Sequence, residues 1–179
     1  MPSEGPNNPS SLANDASVGV SAWSNPENAA VSDDSRATTT LGQCSDSIAK
    51  LVVGGVISGD NKATFSAFPA TESYKTYGGP SDLWGATLSP AIVNSSDFGF
   101  VLSAYSDSSE ANTNYLKVTN FGFAIPDGST IDGIVVEVER RRDFFQKGEI
   151  DHVRITVHYS ESGGASPVIH STMSLGIKL

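Results

Sequence analysis

The sequence predicts an all-β protein, an antiparallel β-sandwich of jelly-roll type with extended N- and C-terminal arms. Three observations lead to this fold class. Short segments alternate apolar and polar residues with a period of two, turn-forming residues separate these segments, and no segment carries an apolar stripe with the 3.6-residue period of a helix. With 179 residues, the chain is long enough for one domain with a substantial core.

The N-terminal part begins with a segment that is poor in apolar residues. Residues 1–16 include three prolines and few side chains that gain from burial, so we expect a mobile arm. The strands that follow are recognised by alternation, by a threonine-rich stretch and by an apolar run that ends at Gly54-Gly55. These predicted strands are residues 17–23, 37–41, 48–53 and 98–104.

The two clearest strands are residues 131–142 and 151–159. Each has one apolar and one polar face, which is typical of a sandwich strand with one buried and one solvated side. The sequence Ile-Pro-Asp-Gly-Ser at 125–129 is a strong turn signal and predicts a hairpin over residues 121–131. The predicted sandwich domain spans residues 17–159. Its expected inward residues in these two strands are Ile134, Val136 and Val138, and Val153, Ile155, Val157 and Tyr159.

The C-terminal residues predict a flexible linker followed by one more strand. Residues 160–167 are rich in Ser and Gly and end in a proline, so they favour a linker. Residues 168–179 then alternate between apolar and polar side chains. Such a strand either completes its own sandwich or pairs with a neighbouring subunit, and we expect the second arrangement. The residues expected at that subunit interface are Val168, Met173, Leu175, Ile177 and Leu179.

The charge and the composition exclude several classes of partner. The chain carries 11 Lys and Arg against 20 Asp and Glu, a net charge of −9, so we expect no nucleic-acid partner. The basic run Arg140-Arg141-Arg142 is expected to flank a strand end in solvent. The single cysteine, Cys44, cannot form an intrachain disulfide. No apolar stretch of 18 residues and no signal-like segment is present, so no membrane insertion is expected.

The residues that could carry chemistry do not form a recognisable catalytic motif. The sequence has no nucleophile elbow, zinc-binding helix motif or phosphate-binding glycine loop. His152 and His158 fall on one strand face, but six residues separate them by roughly 20 Å, too far to share a metal. Most carboxylates sit in turns, where they bind nearby backbone N–H groups. Residues 59–61 or 107–110 could alternatively offer oxygens to calcium. We therefore expect no enzyme activity and no cofactor.

A group of aromatic residues offers a binding function instead. Tyr74, Tyr77 and Trp84 lie in a loop-like context around Tyr-Gly-Gly-Pro at 77–80. If exposed, they would form a platform for stacking a glycan; if buried, Trp84 would cap the core. Asn94 begins the sequon Asn-Ser-Ser and is a candidate glycosylation site.

The sequence contains five linked motifs: Trp-Ser-Asn-Pro at 23–26, Asn-Phe-Gly-Phe-Ala-Ile-Pro at 120–126 with Ile-Asp-Gly-Ile at 131–134, Ser-Asp-Leu-Trp-Gly at 81–85, Asp-Phe-Gly at 97–99 and Asp-His-Val-Arg-Ile-Thr-Val-His-Tyr at 151–159. Together they resemble a widespread group of uncharacterised proteins found mainly in tailed phages, prophages and environmental contigs. The resemblance covers residues 20–160 and implies a β-sandwich with a role in a virion or on a surface. It brings no catalytic residues. Residues 45–113 precede residues 114–150 here, the reverse of the order in the group.

The sequence therefore predicts a non-enzymatic structural subunit that self-assembles into an extracellular fibre or a phage virion component. Its partners would be further copies of itself or other virion proteins, and a terminal β-strand would lock neighbours together. The alternative is a carbohydrate-binding or adhesin module that recognises a host surface glycan through the three aromatic residues.

Overall fold

A computed structural model describes residues 1–161 and shows two antiparallel β-sheets packed face to face, as the sequence predicts. The strands are β1 (Ser3–Asn7), β2 (Ser11–Asp15), β3 (Ala37–Gly42), β4 (Cys44–Val53), β5 (Val56–Ser58), β6 (Ser73–Gly78), β7 (Gly99–Ser106), β8 (Ala111–Asn112), β9 (Tyr115–Thr119), β10 (Thr130–Arg142) and β11 (Lys147–Ser160). Two short helices complete this part of the chain: a 3-10 helix (Pro26–Ala30) and α1 (Pro90–Val93).

Each sheet combines strands from early and late parts of the chain. The first sheet has the order β1-β11-β10-β6, with β3 also paired to β11; the second has the order β2-β9-β7-β4-β5, with β8 also paired to β7. The chain crosses between the sheets after β1, β2, β3, β5, β6 and β9. Apolar side chains from both sheets meet in one continuous core between them.

The long β10–β11 hairpin confirms the alternation read from the sequence. Ile134, Val136 and Val138 are buried on β10, and Val153, Ile155 and Val157 are buried opposite them on β11, while the intervening residues face outward. The strands predicted at 37–41, 48–53 and 98–104 are also present, within β3, β4 and β7. In contrast, residues 17–23 form no strand and make only an isolated bridge through Ser21.

The N-terminal segment is part of the sandwich, which corrects the expectation of a mobile arm at residues 1–16. β1 pairs with β11 in the first sheet and β2 pairs with β9 in the second, so the segment spans one side of the sandwich. Asn14 adds two bonds to Trp23: its Nδ2 donates to the Trp23 carbonyl at 2.8 Å, and its Oδ1 accepts from the Trp23 N–H at 2.7 Å. The composition of residues 1–16 did not indicate strands because β1 and β2 are held mainly by backbone hydrogen bonds, and most of their side chains stay exposed.

The segment around the Pro-Asp-Gly turn is a crossover between the sheets, and the prediction of a hairpin there was wrong. β9 lies in the second sheet and β10 in the first, so the two strands cannot pair with each other. Between them, Phe121, Phe123 and Ile125 are buried in turn and pack into the core. The Pro-Asp-Gly sequence does form a turn. A turn makes a hairpin only when the strands on its two sides lie in the same sheet, and β9 and β10 lie in different sheets.

Neither helix in residues 1–161 approaches the length and apolarity that a membrane-spanning helix requires.

Candidate functional site

The residues expected at the subunit interface, Val168, Met173, Leu175, Ile177 and Leu179, lie outside the described residues. The linker at 160–167 lies outside them as well from residue 162 onward. Within the described part, β11 continues through Tyr159 to Ser160, so the strand ends where the linker was expected to begin.

The aromatic trio does not form an exposed platform. Trp84 is 0% exposed and Tyr77 is 2% exposed, and both belong to the core. The Trp84 indole N–H donates to the Ile134 carbonyl at 3.0 Å, and its ring meets Phe100 edge to face. Only Tyr74 reaches the outer face of the first sheet. The glycan-stacking interpretation is therefore wrong for Trp84 and Tyr77, because a ring buried between two sheets offers no face to a sugar.

Tyr74 belongs to a hydrogen-bonded network on that outer face. The His152 Nδ1 lies 3.0 Å from the Tyr74 hydroxyl, and its Nε2 lies 2.9 Å from the Asn8 Oδ1. Burial, followed by the nearby charge of Arg154, lowers the pKa of His152. A neutral ring satisfies both contacts if Nε2–H donates to Asn8 and Nδ1 accepts from Tyr74. The arrangement orients the histidine and fills its hydrogen-bonding capacity, which is the role of a structural residue.

The arginine run is not a solvated basic patch, which corrects the expectation for Arg140. Arg140 is 3% exposed and points into the core, where its Nη1 lies 3.5 Å from Asp46. Arg141 pairs with Glu149 at 2.7 Å, and Arg142 donates to the Gln146 side chain. Alternate residues of β10 face the core, as Ile134, Val136 and Val138 do. Arg140 is the next residue in this series, so the same alternation predicts that it faces the core as well.

Asn94 is engaged in the fold as well as beginning a sequon. It ends α1, and its Nδ2 donates to the Ile125 carbonyl at 2.9 Å while its Oδ1 accepts from the Ile125 N–H at 2.9 Å. The amide nitrogen that a glycan would modify thus already holds the crossover segment in place.

The carboxylates that the structure brings together are not those singled out from the sequence. Asp60, in the first candidate calcium loop, makes an ion pair with Lys62 at 3.6 Å. Instead, Asp34, Glu72 and Asp151 converge, with one carboxylate oxygen of each lying within 4.8 Å of the others. Sequence reasoning missed this group because its members are far apart in the chain and no spacing links them.

An exposed pair of aromatic rings stands at the turn between β10 and β11. Phe144 and Phe145 are 91% and 74% exposed, and their rings contact each other edge to face with centroids 5.6 Å apart. Exposed apolar patches of this kind mark contact surfaces more often than isolated apolar residues do. The signal was present in the sequence as two adjacent phenylalanines inside a polar turn, Arg-Asp-Phe-Phe-Gln-Lys at 142–147.

Comparisons with protein-family models, with curated proteins and with solved structures found no match to this chain.

Proposed function

We propose that the protein is a non-enzymatic structural subunit that self-assembles into an extracellular fibre or a phage virion component. Neighbouring subunits are joined by exchange of the C-terminal β-strand, and the partners are further copies or, in a virion, other virion proteins. The resemblance of the five motifs to phage and prophage proteins supports this setting. The repeated crossings of the chain between the sheets support the jelly-roll connectivity included in the proposal.

The observation that carries the proposal is the open edge of β6 in the first sheet. Within residues 1–161, β6 pairs with β10 alone, so its other edge presents backbone groups without a strand partner. An incoming strand would form main-chain hydrogen bonds there, and its alternate side chains would give the contact its specificity. Residues 168–179 have the alternation that such a strand needs.

The length of the connection is compatible with docking of the strand on a neighbouring subunit. Seven residues, 161–167, separate the end of β11 from residue 168, and they span at most roughly 25 Å. Burial of the side chains of Met173, Leu175, Ile177 and Leu179 would contribute about 1.5–3 kcal/mol each, roughly 6–12 kcal/mol in total. Ordering about eight backbone residues costs about 1–2 kcal/mol per residue, so burial alone is nearly offset. The ladder hydrogen bonds along an existing edge then favour docking.

Deletion of residues 167–179 tests the proposal. We expect the truncated protein to keep the far-UV circular dichroism of the intact chain and to elute as a monomer with light scattering, while the intact chain forms polymers visible by negative stain. Assembly of the truncated protein at the wild-type level would refute strand exchange, as would a monomeric intact chain.

A matched pair of substitutions tests whether the apolar face of the tail is the contact. Leu175→Lys places a charge on the apolar face, and Ser174→Lys places the same charge on the opposite face. We expect Leu175→Lys to abolish assembly and Ser174→Lys to preserve it, because a strand docked on a sheet buries one face only. Equal effects of the two substitutions would contradict a strand-like contact.

The exposed ring pair gives a second surface for contact between copies. We expect the double variant Phe144→Ser, Phe145→Ser to fold normally and to assemble less. Unchanged assembly would remove the ring pair from the proposed contacts.

A further inference from the structure

The three converging carboxylates differ in exposure, from a solvent-exposed loop residue to a buried strand residue. Asp34 lies in the loop before β3 and its side chain is 83% exposed, Glu72 directly precedes β6, and Asp151 lies on β11 and is 2% exposed. One oxygen of each is within 4.8 Å of the others. Like charges held this close repel one another unless a positive charge compensates them.

Arg36 compensates only the outer part of the cluster. Its guanidinium donates to both Glu72 oxygens at 3.0 Å and is ion-paired with Asp34. The charge of Arg36 also acts on Asp151, but only at longer range: among residues 1–161, no side-chain nitrogen of Lys, Arg or His lies within ion-pair distance of Asp151. The three carboxylates bring three negative charges against one on Arg36, which leaves two to be balanced.

Asp151 is the observation that points to a ligand. Its Oδ1 is buried and has no hydrogen-bond partner, an arrangement that is costly for a carboxylate. Such an oxygen lacks the counter-charge that a bound cation would provide.

The backbone places Asp151 there through a β-bulge. Glu139 pairs with His152, and Arg140 pairs with Ile150, so Asp151 is the extra residue on β11. A bulge redirects a side chain out of the regular alternation, and bulges are frequent next to functional sites. Ile150 and Val153 thus stay in the core on either side while Asp151 joins the cluster.

We propose that Asp34, Glu72 and Asp151 bind a calcium ion, a site independent of the proposed assembly function. A donor set made only of carboxylate oxygens suits a hard cation. Asp34 and Glu72 lie outside the strands and only Asp151 lies on one, so the geometry can adapt to the variable coordination of Ca²⁺ more readily than to the strict octahedron of Mg²⁺. With only three protein ligands and water completing the shell, we expect a Kd on the order of 10⁻⁴–10⁻³ M, as in extracellular calcium modules.

Isothermal titration of the intact, chelator-treated chain with CaCl₂ tests the site, with thermal unfolding as a second readout. We expect one saturable binding event and a Tm that rises with calcium concentration, because an ion that binds only the folded state stabilises it. Absence of binding heat and of a Tm shift at 20 mM CaCl₂, about 20 times the weakest expected Kd, would overturn the proposal.

Matched variants locate the ion. Asp151→Asn should weaken calcium binding more than about 100-fold, since loss of a direct ligand exceeds the effect of changing its supporting residues. Asp34→Asn, which changes an exposed loop side chain and leaves the core untouched, should also remove the Tm response. Asp60→Asn and Asp107→Asn change the two alternative loops and should leave it intact. A response that survives Asp151→Asn and Asp34→Asn, or that disappears in either loop variant, contradicts this site.

Discussion

Arg140 and Asp46 form an ion pair across the core, joining β10 of the first sheet to β4 of the second with Nη1 and Oδ1 3.5 Å apart. Asp46 also accepts hydrogen bonds from the backbone N–H groups of Thr64 and Ser66, and the Arg140 guanidinium stacks over the Phe68 ring at 4.7 Å. The pair therefore ties the two sheets and the β5–β6 connection together. Buried charges are tolerated when they are paired and hydrogen-bonded in this way.

Removal of one partner of this pair should be strongly destabilising. We expect Arg140→Met to lower the free energy of unfolding by about 3–5 kcal/mol, because Asp46 then remains buried without its counter-charge. Urea denaturation followed by fluorescence measures the change. The control is Arg141→Met, which breaks a partly exposed pair with Glu149 and should cost no more than about 1 kcal/mol. Similar losses for the two variants would show that the buried pair has no special role.

Substitution of Trp84 should destabilise the fold, and its indole should be inaccessible to solvent in the native protein. We expect Trp84→Ala to lower the free energy of unfolding by about 3–5 kcal/mol, through the cavity left between the sheets and the loss of the bond to Ile134. Trp23 is buried as well, so the native fluorescence should resist quenching by acrylamide until the protein unfolds. Efficient quenching of the native protein would contradict this packing and reopen the possibility of an exposed aromatic platform.

The thiol of Cys44 should be unreactive in the native protein. Burial, the largest influence, raises the pKa of Cys44 to about 11, so almost no thiolate is present at pH 8. We expect a disulfide reagent such as DTNB to label the native chain far more slowly than the chain in guanidinium chloride. Since Cys44 is the only cysteine, the absorbance change reports this site alone. Native labelling at the denatured rate would show that the end of the sandwich near Cys44 is open.

The N-terminal strands should contribute to stability. We expect Asn14→Ala to lower the free energy of unfolding by about 1–3 kcal/mol, because the Trp23 N–H and C=O lose their side-chain partners. Hydrogen exchange should show protected amides in β2, where each residue is paired with β9. The control Ala13→Ser changes a neighbouring position without a hydrogen-bonding role. Unprotected amides throughout residues 11–15, together with a neutral Asn14→Ala, would restore the view of a mobile arm.

Local alternation was sufficient to predict the parts of the fold in which one strand face is apolar. The buried residues of β10 and β11 were identified from sequence because burial of one face imposes a period of two. The same reasoning failed at β1 and β2, whose edge positions bury few side chains and leave no such pattern. It also failed at residues 120–129, where an apolar alternation and a turn belong to a crossover.

The candidate cation site could not be predicted from the sequence for a related reason. Asp34, Glu72 and Asp151 come from a loop, a strand entrance and a bulge, and each taken alone looks like an ordinary acidic residue. Their significance is a matter of mutual distance and burial, which no spacing along the chain encodes.

An acidic, all-β chain with one cysteine and an alternating C-terminal segment can be inferred without a structure, because composition and period are properties of the chain alone. The folded arrangement was needed to show that the N-terminal segment closes one side of the sandwich, that Arg140 is buried against Asp46, and that Trp84 and Tyr77 are core residues. Each of these outcomes depends on which strands become neighbours. Strand pairing depends on the packing of segments that are distant in the chain. The alternation within one strand does not specify which other strand it pairs with.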